Sequence, residues 1–174
     1  MAKRTILSFP NPVLRQQAKP VARFGPELKQ LVADMAETMY AAPGIGLAAP
    51  QIGVSEQIVV VDINPPEDRN LIVLVNPCIV HREGEAVDTE GCLSVIEYTA
   101  EVKRARRIVV QARDIEGKPL EFDAEEWYAR VLQHEIDHLN GILYIDYLSS
   151  LKRTLYKKKL RKILQERERE GGEP

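Results

Sequence analysis

The stretch Gln133-His134-Glu135-Ile136-Asp137-His138-Leu139-Asn140-Gly141 constrains this chain most, because it sets two imidazoles four residues apart on a segment with helical patterning. One helical turn separates them, so both rings leave the same face with Cβ atoms ~5–6 Å apart, close enough to share one metal ion. Glu135 lies about 100° around from His134, within reach of a water on such an ion. On a helical wheel Trp127, Val131 and His138 fall beside His134, and Tyr128, Leu139, Leu132, Ile136 and Ala129 carry the apolar arc onward. Polar residues are confined to a narrow strip of Glu126, Arg130, Gln133 and Asp137. The pattern predicts a central helix whose histidine face opens into a pocket. An H-E-x-x-H match also arises by chance, with its histidines merely packed or exposed, so the rest of the chain has to decide.

A chain of 174 residues with 44% hydrophobic content fills one core and is short for two. The apolar run after Met1-Ala2-Lys3-Arg4 ends at Pro10, too short for a secretory signal, and nothing approaches the about 18 uncharged apolar residues of a membrane span. A cytoplasmic protein without membrane contact is expected. In that compartment two cysteines point to thiol or metal chemistry rather than a disulfide.

The remaining elements are read from local signals. Asn11 is placed to cap a brief helix with Pro12 at its first position. Pro26 opens a longer helix with Leu28, Leu31, Val32, Met35 and Met39 on one face, ending at Ala41-Ala42-Pro43. Residues 57–63 and 71–75 are β-branched runs around a Pro/Asn loop and predict an antiparallel pair. Cys78 reads as a small buried residue, and His81, among Arg82, Glu83 and Glu85, as a solvated one. Residues 108–112 and 119–122 predict a hairpin around 114–118, after which Asp123 and Glu126 form a capping signal for the central helix. Strands in a run, flanked by helices without βαβ alternation, give an α+β fold: mixed or antiparallel strands around the metal-binding helix.

Gly44-Ile45-Gly46-Leu47-Ala48-Ala49-Pro50-Gln51 superficially fits a dinucleotide loop, but that loop needs a strand before it and a helix after it. Here a helix comes before and Pro50 interrupts the segment after, which excludes that reading. Its glycines instead let backbone approach something extended, such as a peptide, and Gln51 offers an amide donor. The histidine pair still needs a third ligand. No histidine lies beyond His138, and Tyr144 stands where a longer zinc motif has its last histidine. The ligand must come from upstream: Cys92, His81 or Cys78. Cys92 is best placed, beside Gly91 and near Glu90, which can bond to a ligand.

In order, Gly-Ile-Gly-Leu-Ala-Ala-Pro-Gln at 44–51, Glu-Gly-Cys-Leu-Ser at 90–94 and Gln-His-Glu-Ile-Asp-His-Leu at 133–139 resemble the three motifs of the peptide deformylase family, with likeness running from about Pro10 to Leu148. The resemblance implies a catalytic domain over 1–148 that removes the formyl group from the initiator methionine of nascent polypeptides and releases formate. It implies Fe2+ held by Cys92, His134 and His138, with Zn2+, Ni2+ or Co2+ able to substitute. Glu135 would be the general base and acid for a metal-activated water, and Gln51 and the backbone N–H of Leu93 would meet the oxyanion. Gly44 and Gly46 would pair with the peptide backbone. Ile45, Trp127 and Val131 are candidates for the methionine slot. The chain departs from the family at Val95-Ile96-Glu97-Tyr98-Thr99, where a proline is common, and no binding residue is assigned there. Two rivals are a general H-E-x-x-H peptidase and a non-catalytic metal module; Glu135, which a structural site does not need, disfavours the second.

The last segment carries its own signal. Leu151, Leu155, Leu160, Ile163 and Leu164 fall on one helical stripe that Ser149 or Ser150 can cap. From Lys152 to Glu170 nine Lys/Arg stand against three Glu, a net +6 that leaves −8 on the rest of a chain of formal charge −2. Related bacterial enzymes dock on the ribosome through a basic C-terminal helix. The expectation is a helix over 149–170 that binds ribosomal RNA by phosphate neutralisation, a disordered tail over 171–174, and a monomer.

Overall fold

The computed structural model describes residues 2–64 and 66–171. The expected disorder of 171–174 falls, from 172 onward, outside the described residues.

A five-stranded antiparallel sheet forms the frame, in the order β1 (Gly46–Ala48), β2 (Ile58–Val61), β3 (Ile72–Glu83), β6 (Arg107–Arg113), β7 (Pro119–Glu125). Helix α1 (Pro26–Ala41) packs on one face through Leu28, Val32, Met35 and Met39, against Ile58, Val60 and Val75. Helix α2 (Glu126–Leu139) packs on the other through Ala129, Leu132, Ile136 and Leu139, against Val59, Val61, Leu74 and Ile108. A strand covered on both faces cannot alternate polar with apolar, which is why β2 reads as an unbroken apolar run. The hairpin of β4 (Ala86–Cys92) and β5 (Val95–Arg104) is a separate two-stranded sheet. Helix α3 (Ser150–Arg169), capped by Ser149, closes a third apolar cluster. The α+β architecture and the antiparallel β2–β3 pair stand as the sequence predicts.

Three local expectations are overturned. Cys78 is exposed rather than buried, because β3 continues past Pro77 through a register shift between Val75 and Cys78, at Asn76 with φ 51°, and this turns the thiol outward. Asp123 and Glu126 do not cap α2: β7 runs straight into the helix, Glu125 at the cap position makes no side-chain bond, and Asp123 pairs with Arg107 at 2.7 Å. In α3 the buried anchors are Tyr156 and Leu160, whereas Leu151 and Leu155 face solvent. Within the narrow polar strip of α2, Arg130 and Gln133 are buried against the β4–β5 hairpin and Ala105.

Candidate active site

One helical turn sets His134 and His138 on a common face of α2, with ring centroids 5.1 Å apart. Cys92 ends β4, and the tight turn at Leu93-Ser94 points its sulfur at the helix: Sγ lies 3.3 Å from His138 Nε2, and the Ser94 N–H donates to it at 3.4 Å. Ligand atoms of Cys92, His134 and His138 all lie within 4.8 Å of one another. Metal–sulfur and metal–nitrogen bonds of ~2.3 and ~2.0 Å in a tetrahedral site would space such atoms roughly 3.3–3.6 Å apart, so a small contraction around an ion suffices. The donor set, one thiolate and two imidazoles with a fourth direction free, fits a catalytic ion. Cys78 and His81 stay on exposed parts of β3 and do not join the group.

Glu90, two residues before Cys92, orients His134. Its Oε2 lies 2.9 Å from His134 Nδ1, so that nitrogen donates and Nε2 is left for a ligand role. Two arginines complete the shell: Arg104 donates from Nε and a terminal nitrogen at 2.8 and 3.0 Å, and Arg130 donates at 2.8 Å. Burial alone would raise Glu90, but the bonds from His134 and Arg104 outweigh it and bring the carboxyl down to about 2. For His134 burial works downward, yet the Cys92 sulfur and the Glu90 carboxylate hold it well above its ordinary value. Burial and the neighbouring His134 push His138 well below its ordinary value, leaving it the neutral imidazole that a metal requires.

Glu135 is 5% exposed, and its Oε2 has no hydrogen-bond partner among the described residues. Burial pushes its carboxyl up to about 7, against the opposing pull of His134. Gly46 of β1 makes room for it, since a Cβ there would lie 2.8 Å from both Cγ and Cδ of Glu135. Gln51 sits in the short turn after β1. Its Oε1 accepts from Ala48 N–H at 2.9 Å, which fixes the amide so that Nε2 faces the Ser94 hydroxyl at 3.1 Å and the Cys92 sulfur at 3.7 Å.

These groups surround a cavity of ≈ 570 Å³ lined by Gly44, Ile45, Gly46, Gln51, Cys92, Leu93, Trp127, Val131, His134 and Glu135. A buried carboxyl with one oxygen unpaired among the described residues, beside a cysteine–imidazole cluster, is equipped to move protons at a polarised carbonyl. Residues 3–154 match the family profile of polypeptide deformylases. The chain belongs to that family.

A peptide deformylase of Desulfotalea psychrophila is 55% identical over 164 residues, covering 93% of this chain and 97% of the relative. The crystal structure of a peptide deformylase from Legionella pneumophila superposes with a TM-score of 0.90 at 47% identity, covering 99% of this chain and all of that one. The Met-Ala-Ser-bound structure of a class I type b peptide deformylase from Acinetobacter baumannii superposes with a TM-score of 0.80 at 32% identity, covering 84% and 99%. Deformylases remove the N-formyl group from nascent peptides, and this is the activity of the chain. The family is metal-dependent, and Cys92, His134 and His138 form a possible metal site. No helix among its described residues is long and apolar enough to cross a membrane.

All five residues suggested for peptide contact line the deformylase cavity; Val131 is buried, while Ile45 and Trp127 stand at its mouth, 38% and 44% exposed. Sequence reasoning missed Arg130, which also lines the cavity although it reads as part of a polar strip. Its position one turn before His134 was the available signal. Glu97, Tyr98 and Thr99, from the segment that departs from the family pattern, form a wall as well. Nothing in their spacing marks them, because they reach the cavity through the β4–β5 hairpin.

Proposed function

We propose that Cys92, His134 and His138 hold a single Fe2+ ion, for which Zn2+, Ni2+ or Co2+ can substitute, and that Glu135 carries the protons of the deformylation. The mixed thiolate–imidazole set supports this reading, since it suits a borderline-soft divalent ion. An ion bound there would supply Lewis acidity, bringing the pKa of water toward neutrality and polarising the formyl carbonyl. Glu135 then accepts the proton of the attacking water and delivers it to the leaving amine nitrogen, a role suited to a carboxyl raised toward neutral pH. Gln51 Nε2 and the Leu93 backbone N–H donate to the oxygen on which negative charge develops, each contributing about 3 kcal/mol in such a role. Gly44 and Gly46 pair with the extended peptide at the free edge of β1, and Ile45, Trp127 and Val131 take the methionine side chain. One observation carries the proposal: Glu135, with a buried oxygen that lacks a partner among the described residues, lines the same cavity as Cys92 and His134.

The test is anaerobic purification with metal analysis, then a formate-release assay on formyl-Met peptides. Glu135→Ala keeps its metal and loses most turnover; a metal-replete variant with near-wild-type turnover refutes the role. Backbone cleavage of an unblocked peptide would favour a general peptidase instead.

Residues 1–148 then act as the catalytic unit of a cytoplasmic monomer, and 149–170 as a basic helix of the same domain that docks on ribosomal RNA. Supporting the second part, Lys157, Lys158, Arg161 and Lys162 are exposed on α3 while Tyr156 and Leu160 anchor it. Replacing those four cations by Gln keeps the apolar anchors in place. It should weaken ribosome co-sedimentation and flatten its salt dependence, with turnover of a free peptide unchanged. Binding that survives the four substitutions refutes the docking role.

A further inference from the structure

The three metal-ligating side chains are divided between two elements: Cys92 ends β4, and His134 and His138 stand on α2. Neither strand nor helix geometry sets the distance between them. Apolar packing tolerates small slides of one element along another, whereas short directional bonds do not. What ties β4 to α2 therefore decides how the trio is spaced.

Glu90 is the tie from the strand, since it alternates onto the same face of β4 as Cys92. One of its oxygens meets His134 and the other accepts from Arg130, at 2.9 and 2.8 Å. Arg130 precedes His134 by four residues, so a single carboxylate grips two successive turns of α2. The Arg130 guanidinium then reaches further, donating to the Val102 carbonyl on β5 and to the Ala86 carbonyl at the start of β4, both at 2.8 Å. Its side chain is only 5% exposed. One planar fork thus spans both strands of the hairpin from the helix that bears the histidines.

Charge balance alone does not fix this geometry. Arg104, on the hairpin itself, already donates to Glu90 from Nε and a terminal nitrogen, and its own tie to α2 goes to Asp137 at the rim. Two cations thus face two carboxylates, and Arg130 spends its further donors on backbone carbonyls of both strands, which neutralisation does not require.

We propose that Arg130 is a positioning residue for the metal site: by clamping Glu90 and the β4–β5 hairpin to the helical turn before His134, it sets the Cys92-to-histidine spacing and hence metal affinity. This rests on the reading of Cys92, His134 and His138 as metal ligands. A mere staple of the fold would stabilise metal-free and metal-loaded protein alike; a positioning residue acts on the difference between them.

The test uses Arg130→Met, which keeps most of the volume and removes all donors. Co2+ affinity is measured by competition with a chromophoric chelator, the Co2+ form is examined by visible absorption, and melting is monitored with and without Co2+. Arg130→Met is expected to bind Co2+ about 10–100-fold more weakly, the range typical for partners that orient a ligand, with altered thiolate-to-cobalt bands and a smaller rise in Tm on Co2+ addition. Arg130→Lys keeps the charge and one donor point but loses the fork, and is expected to bind roughly 3–10-fold more weakly than wild type. Wild-type affinity and spectrum in Arg130→Met, with an equal loss of Tm in both forms, would reduce Arg130 to a staple. If Arg130→Met does not fold, wild-type affinity in Arg130→Lys overturns the proposal. A wild-type protein that takes up no Co2+ overturns the ligand reading itself, and the positioning role with it.

Discussion

Gly46→Ala isolates the fit between β1 and Glu135, the carboxyl proposed to carry the protons. Gly46 pairs with Val61 in the sheet, and its bare Cα faces the side chain of Glu135. An alanine Cβ would stand 2.8 Å from Glu135 Cγ and Cδ, and nearer still to Oε1. Carbon atoms rest ~3.5–4.0 Å apart, so the carboxyl must retreat by roughly 0.7–1.2 Å. Neither backbone can yield, because β1 is held in the ladder and α2 is buried against the sheet. The side chain moves instead. Displacing a reacting group by about 1 Å costs on the order of 10²-fold in rate, so kcat should fall about 30–100-fold. The overpacking itself should cost about 1–3 kcal/mol of stability. Formate release from a formyl-Met tripeptide gives kcat and KM, and metal content and Tm are measured on the same preparation. Gly44→Ala is the control: its Cβ would meet the Leu93 side chain at 2.7 Å, a flexible end that can turn away, so the loss should stay under about tenfold. A Gly46→Ala enzyme with full metal and kcat within twofold of wild type would refute the cradle and Glu135 as the proton carrier. A rise in KM alone would instead assign Gly46 to the peptide backbone.

Cys92→Ser should lower metal retention under chelator challenge by more than the roughly 10–100-fold typical of losing an outer partner, since a hydroxyl is a poor anionic ligand at neutral pH; normal retention would reassign the third ligand. Gly141→Ala should destabilise by about 2–5 kcal/mol in urea unfolding, because φ there is 70° and the new Cβ would lie 2.7 Å from the Arg15 carbonyl carbon. The acid limb of kcat/KM should fall between the ordinary carboxylate value and about 7: Glu135 must be ionised to accept a proton, burial raises it to about 7, and a bound cation draws it back down. Activity is therefore lost as pH falls through that window, and a limb above pH 8 would exclude Glu135 as its source. In metal-free protein the same raised carboxyl stabilises the fold below its unfolded pKa, a contribution lost as pH rises through about 7. Glu135→Gln should accordingly stabilise the metal-free form at pH 8 relative to wild type by about 2–4 kcal/mol, and should leave the two equal at pH 4.

Periodicity alone places His134, His138 and Glu135 correctly relative to one another, as it does the buried face of α1 and the apolar run of β2. Each of those relations lies within a few residues of chain, where helix and strand geometry leave almost no freedom. Cys92 is different: the flanking glycine and carboxylate favoured it over Cys78 and His81, but only the folded hairpin brings its sulfur 3.3 Å from a histidine more than forty positions away. Cys78 was misread because a bulge at Asn76 shifts the register, and a shift of one residue reverses the side of a strand. In α3 the leucine spacing allowed more than one buried face, and packing by Tyr156 and Leu160 in the cluster with Phe9 and Val95 selected it. Arg130 and Gln133 make the same point from the opposite side. No local signal marks them as buried, yet the hairpin covers them and supplies acceptors for their donors. The sequence thus determined which groups share a turn of helix or a face of strand. Tertiary structure decided which faces meet and which polar groups find buried partners, because those contacts join distant segments that no local period records.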